Sequence, residues 1–151
     1  MAPLKLLKYL PPSCAIARLK AETKQEAIEE LLAALEAAGR LVDLATARKD
    51  VLDRERQMST GLTDGLAIPH AKTQGVKELV LAAGLKREGI EFESLDGQPA
   101  RVVFMVLSRV DRSGPHLECL AEIAQFFSRP EARARLLAAG TAREMIAALS
   151  A

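Results

Sequence analysis

The sequence predicts an α/β fold: one mixed β-sheet covered by helices, with a helical C-terminal end. Three observations carry this. Helical and strand-like patterns alternate along the first two thirds of the chain. Two continuous apolar runs containing β-branched residues, "ELVLAAGLK" (78–86) and "ARVVFMVLS" (100–108), read as buried central strands. The final third carries helical spacing and capping signals. At 151 residues the chain is long enough for a real core, and residues 1–151 are expected to form a single domain.

The elements follow in order. "AIARLK" (15–20) reads as a short first strand. A helix is predicted from Thr23 to Ala38. Thr23 and Glu26 make a T-x-x-E capping box, Ile28, Leu31, Leu32 and Leu35 share one face, and Gly39 is the stop. Asp43 can cap a second helix with Leu44, Ala47, Val51 and Leu52 inward, fading near Arg54–Arg56. In "LAIPHA" (66–71), Pro69 removes a backbone donor, so a strand there lies at an edge or carries a break. "IEFESLDGQP" (90–99) offers a short edge strand and a turn at Asp96–Gly97. Leu117, Leu120, Ala121, Ala124 and Phe127 form a helical stripe behind "RSGP". Ser128 with Glu131, and Thr141 with Glu144, repeat the capping signature before two short helices separated by Gly140.

Composition excludes several classes. Apolar residues make up 49% and charged residues 27%, the mix of an ordinary globular protein. Lys plus Arg (21) nearly balances Asp plus Glu (20), and no basic block stands out, so nucleic acid is not the expected partner. No apolar run is long enough to span a bilayer, so this is not expected to be a membrane protein. The opening "MAPLKLLKYLPPSC" lacks the apolar core and small-residue cleavage site of a signal peptide, and its two prolines make Cys14 a poor lipid-anchor candidate. Cys14 and Cys119 read as reduced thiols of a cytoplasmic protein.

The chain has two histidines. His70 ends "GLTDGLAIPH" (61–70), where Pro69 fixes its own φ and restricts Ile68, while Gly61 and Gly65 leave room for a close approach. Arg54 lies upstream, at the end of the second predicted helix. His116 opens a helix directly after Ser113–Gly114–Pro115, and a helix N-terminus favours an anion. If the two histidines meet, one suits a neutral nucleophile and the other a hydrogen-bond donor to phosphate oxygens, with an arginine for the bidentate contact. Other readings are weaker. His116 and Cys119 share a helix face, but a closed metal site would need every His and Cys of the chain, so no metal is expected. A triad of Ser113, His116 and Asp111 would be crowded into one loop with no G-x-S-x-G elbow. No G-x-x-x-x-G-K-[ST] nucleotide loop is present.

"RERQMSTGLTDGLAIPHAK" (54–72) resembles the phosphorylation-site signature of enzyme IIA domains of the bacterial phosphotransferase system, fructose/mannitol type, which includes the nitrogen-regulatory enzyme IIA. The resemblance continues through "IEFESLDGQPARVVFMVL" (90–107), "HLECLAEIAQFF" (116–127) and "RARLLAAGTAREMIAAL" (133–149). It implies a mixed sheet sandwiched by α-helices. It implies that His70 accepts a phosphoryl group on Nε2 from the phosphocarrier protein HPr or its nitrogen-branch relative. His116 would lie beside it, Arg54 would offset phosphate charge, and Thr60 with Gly61 would form the turn that shapes the pocket. No cofactor is implied. Thr63 stands where the family often has Gly, and Asp64, in place of Asn or another polar residue, adds a negative charge close to the site.

Three functions remain open. The chain is a regulator whose phosphorylation state controls binding to target proteins; or it passes the phosphoryl group to a cysteine of an enzyme IIB domain during sugar uptake; or it is a metal-binding or structural protein. The absence of a fused HPr, IIB or membrane segment in this sequence leans toward the regulator.

Overall fold

The two apolar runs become the paired centre of a five-stranded sheet. The computed structural model describes residues 5–111 and 113–150; Arg112 of "RSGP" and the first four residues of the N-terminal stretch lie outside them. The strands are β1 (Ala15–Ile16), β2 (Leu66–Ala67), β3 (His70–Lys72), β4 (Val80–Ile90) and β5 (Ala100–Ser108). The helices are α1 (Lys24–Ala37), α2 (Leu44–Gln57), α3 (Ser113–Phe127), α4 (Pro130–Leu137) and α5 (Ala142–Ser150). The strand order is β1-β4-β5-β2, and β3 also pairs with β5. β4 and β5 are antiparallel, while β1 is parallel to β4 and both β2 and β3 are parallel to β5. The sheet is therefore mixed. Residues 80–85 and 102–108 are buried throughout, as strands covered on both faces must be. Helix α1 packs on β4 and β5, α2 on β3, α3 on β5, and α5 on β1.

Local chemistry explains most boundaries. Thr23 caps α1 by accepting from the Glu26 N–H, and the Glu26 carboxylate accepts from the N–H of Glu22. Gly39, at φ 72°, ends α1, with Gly39 N–H donating to Glu36 and Arg40 N–H to Leu35. The Asp43 carboxylate caps α2 at the N–H of Thr46. That helix buries Ala47, Val51 and Glu55, holds Leu44 and Leu52 half-buried, and runs on to Gln57. Pro69 breaks the edge strand as expected: β2 and β3 lie along the same side of β5, and the Pro69 carbonyl between them accepts from Val106 N–H. In the C-terminal third, Thr141 accepts from Glu144 N–H and the Glu144 carboxylate from Gly140 N–H, closing a box around the start of α5.

Four local expectations are corrected. The first strand is only Ala15–Ile16. Beyond it the backbone turns to α1, where the Glu30 carboxylate takes the N–H groups of Lys20 and Ala21. The expected edge strand in 90–99 is absent. Glu93 adopts a left-handed φ of 55°, which breaks the extended backbone directly after Phe92, whose side chain is buried in the core. The turn at Gly97 does form, with φ 72° and its N–H on Ser94 O. Ser128 does not cap α4. Its hydroxyl donates back to Gln125 O and closes α3, and Arg129 precedes Pro130 with no side-chain cap. Finally, α3 buries His116, Cys119, Ile123, Phe126 and Phe127, while Leu117 is 63% exposed. The inward face is rotated from the predicted stripe.

Candidate functional site

Both histidines are carried to the same end of the sheet. His70 begins β3 opposite Val106, and Lys72 lies opposite Ser108, the last residue of β5. Alternation along β3 turns Ala71 into the core and sets His70 and Lys72 on the other face. The chain then passes from β5 into α3, whose first turn returns His116 over the strand ends. The two rings lie 5.5 Å apart, centroid to centroid, tilted by 58°. They border an open cleft of about 400 Å³ together with Asp50, Asp53, Arg54, Gln57, Ala71 and Lys72. The four α2 residues in this set recur at i, i+3, i+4 and i+7, so a single polar stripe of the helix forms one wall.

His70 is fixed through one ring nitrogen. Its Nδ1 lies 2.7 Å from the Ile68 carbonyl, which can only accept, so Nδ1 carries the proton. The neutral ring then has its lone pair on Nε2. Burial pushes the His70 pKa below its ordinary value, opposed by the Ile68 hydrogen bond, while Arg54 pushes it further down and Glu55 opposes. The ring is therefore neutral near pH 7, the form in which imidazole is nucleophilic.

His116 is 4% exposed, and its Nδ1 lies 2.6 Å from the Ser108 hydroxyl. Burial, with lesser contributions from His70 and Lys72, pushes its pKa down to about 4. It too is neutral near pH 7. Arg54 sits in the last turn of α2 and donates from Nη1 to Met58 O at 2.9 Å. An arginine has five donors, so most of the guanidinium fork stays available to an anion in the cleft.

Thr60 and Gly61 stand behind the cleft rather than among the residues lining it. The buried Glu55 carboxylate takes the Thr60 N–H at 2.8 Å and its hydroxyl at 2.6 Å, and pairs with Lys24 at 3.1 Å. Thr60 O in turn accepts from Ile68 N–H at 3.1 Å. Ile68 holds His70. A chain of bonds thus runs from Glu55 through Thr60 and Ile68 to the imidazole. At Gly61 an added Cβ would sit 2.9 Å from Ser94 Cα and 3.1 Å from Phe92 Cβ, so only glycine fits. Asp64 adds no charge to the cleft wall. Its carboxylate faces Arg133 at 3.8 Å, and its backbone takes the left-handed φ of 61° that Asp tolerates.

Sequence reasoning missed Ser108, Glu55 and Lys72. The signals were present: a serine ending an apolar strand run, and an acid on the inward face of α2. A larger cleft of about 730 Å³ lies by Lys24, Glu55, Glu91 and Glu93. Lys24 bridges Glu55 and Glu93 there, and no histidine reaches it. Cys119 is inert packing: burial pushes its thiol pKa up to about 12.

A family model described as phosphoenolpyruvate-dependent sugar phosphotransferase system, EIIA 2, matches residues 8–151. The chain belongs to this family. Enzymes IIA of this type are phosphotransferase components that carry phosphoryl groups. The fructose-specific EIIABC component of Bacillus subtilis is 37% identical over 90% of this chain, which spans only 21% of that longer protein. The fructose-specific EIIA component of Haloferax volcanii is 34% identical, with 92% of this chain and 85% of that one covered. Among solved structures, the nitrogen regulatory protein IIA-Ntr from Neisseria meningitidis superposes with a TM-score of 0.82 at 30% identity, covering 94% of this chain and 97% of the other. The enzyme IIA fold, a mixed sheet with helices packed on it, is the one described above. No helix among the described residues is long and apolar enough to cross a membrane.

Proposed function

We propose that His70 is the phosphoryl acceptor of this enzyme IIA, that the donor is an HPr-like phosphocarrier protein, and that the phosphorylation state of His70 regulates the binding of target proteins in the cytoplasm. The observation that carries this reading is the clamp of Ile68 O on His70 Nδ1, which leaves the Nε2 lone pair as the nucleophile. In the transfer, Nε2 forms the new P–N bond while the bond from phosphorus to the donor breaks, and its electron pair leaves with the donor. The phosphorylated ring keeps its Nδ1 proton on the Ile68 carbonyl, which offsets the positive charge the ring acquires. His116 donates to a phosphoryl oxygen, and the Arg54 guanidinium offsets its charge. Thr60 and Gly61 shape the loop that holds Ile68. A new charge of about −2 at the mouth of the cleft is large enough to make or break a protein interface.

A second reading has its own support. The higher identity to two fructose-specific relatives favours onward transfer to a cysteine of an enzyme IIB domain. The deciding experiment is intact-protein mass after incubation with phosphoenolpyruvate, enzyme I and HPr. The wild type is expected to gain one phosphoryl group and the folded variant His70→Ala none. Labelling of that variant would place the acceptor elsewhere. Offering a IIB domain to the labelled protein then separates carrier from regulator.

A further inference from the structure

The buried Ser108–His116 pair is a polar contact at this site that has no part in the proposed transfer. Ser108 is 1% exposed and ends β5, where Thr73 N–H takes its carbonyl at 2.8 Å. Its hydroxyl lies 2.6 Å from His116 Nδ1. Either a hydroxyl or a neutral imidazole nitrogen can supply the proton of the bond between them. If His116 Nδ1–H donated, the hydroxyl proton would need a second acceptor. Among the described residues the Ser108 Oγ has no other partner, and a buried hydroxyl proton without an acceptor is costly. The proton therefore lies on Ser108 and points at Nδ1.

We propose that Ser108 is a positioning residue that fixes His116 in the Nε2–H tautomer, so that the ring can only donate toward the cleft. This deepens the reading given above and rests on it for its kinetic consequence. His116 stays neutral near pH 7, since burial holds its pKa near 4, so it cannot become a two-sided donor by protonation. Its tautomer then decides whether it presents a proton or a lone pair to the phosphoryl oxygens. A lone pair facing those oxygens is repulsive. The two imidazoles are thus set in opposite senses by different neighbours. Ile68 takes the Nδ1 proton of His70 and leaves Nε2 a nucleophile, while Ser108 fills the Nδ1 lone pair of His116 and leaves Nε2 a donor.

The test is 15N NMR of the histidine rings in the unphosphorylated protein, joined to transfer rates from phosphorylated HPr. The wild type is expected to show a protonated Nε2 at His116. Ser108→Ala is expected to give a mixture of tautomers, or Nδ1–H, at His116 alone, and to slow phosphoryl transfer about ten-fold. Ser108→Thr, which keeps the hydroxyl, is expected to restore both the tautomer and the rate. A protonated Nδ1 at His116 in the wild type overturns the proposal without any variant. So does a Ser108→Ala protein with an unchanged His116 tautomer. If HPr fails to label the wild type, the phosphocarrier reading fails, while the ring spectra still decide what Ser108 does to His116.

Discussion

Arg54 and Arg56 are separated by one residue, yet they face different surroundings. Arg54 lines the histidine cleft and is braced on Met58 O. Arg56 pairs with Asp53 at 2.5 Å and borders the other cleft. Arg54→Ala should therefore slow transfer from HPr by about ten- to a hundred-fold, the range of one lost charge-assisted contact, while Arg56→Ala should leave it within about two-fold. Equal effects in stopped-flow assays would mean that the cleft is not where phosphate sits. Glu55, between them, faces inward and accepts three hydrogen bonds, one from Lys24 and two from Thr60. Glu55→Ala should cost about 2–4 kcal/mol in urea unfolding, because it strands the Thr60 donors and the Lys24 ammonium. A loss under about 1 kcal/mol would show that the Glu55 network contributes little to holding the loop. At this scale the sequence made the two histidines and Arg54 legible, because scarce or charged residues in a stiff, glycine-flanked turn stand out. Glu55 and Ser108 stayed hidden. The place of Glu55 on the inward face of α2 hints at burial but does not name its partners, and the partner of Ser108 lies across a loop.

At the scale of elements, α3 shows how far periodicity reaches. Two stripes along this helix carry apolar residues at helical spacing. One comprises Leu117, Leu120, Ala121, Ala124 and Phe127, of which only Phe127 is buried, the other Cys119, Ile123 and Phe126. Counting apolar residues favours the first stripe; packing chose the second, because it seats His116 on Ser108 and stacks Phe126 and Phe127 edge-on, with Phe127 against Phe104 of β5. Leu117→Ser should then change unfolding free energy by no more than about 0.5 kcal/mol, whereas Ile123→Ala should cost about 2–4 kcal/mol. Thermal melts of the two variants separate the faces, and a large loss from Leu117→Ser would restore the first stripe. The other misreadings have related causes. Residues 90–99 have strand-like composition, but a left-handed Glu93 and an inward Phe92 outweigh propensity, whose pull is only about 1 kcal/mol across its whole scale. Caps with side chains bonded to their own first turn, at Thr23, Asp43 and Thr141, were readable because that bond is local.

At the scale of the whole molecule, seating two neutral histidines beside one another ties stability to pH. The central strands and their helices were legible from continuous apolar runs, but this coupling was not, since it arises from burial that only the assembled fold creates. His116 has a pKa of about 4 in the folded chain against an ordinary value of 6.5. His70 is shifted in the same direction, chiefly by burial. The unfolded chain thus binds more protons than the folded one between these values, and stability rises with pH across that window. It is complete above about pH 6.5 and lost progressively as the pH falls toward 4. For His116 the loss is on the order of 3 kcal/mol, a large share of the 5–15 kcal/mol typical of a domain. The carboxylates of Asp43 and Asp53, held below their ordinary value by their hydrogen bonds, add acid sensitivity only at lower pH. Urea midpoints of the unphosphorylated protein at pH 7.5 and 4.5 should therefore differ markedly, with most of the fall complete before the carboxylates titrate. His116→Asn keeps an oxygen near the Ser108 hydroxyl and removes the ionisable ring, so it should flatten the profile even where it lowers stability at neutral pH. A wild type equally stable at both pH values would mean that burial does not hold the His116 pKa below its ordinary value.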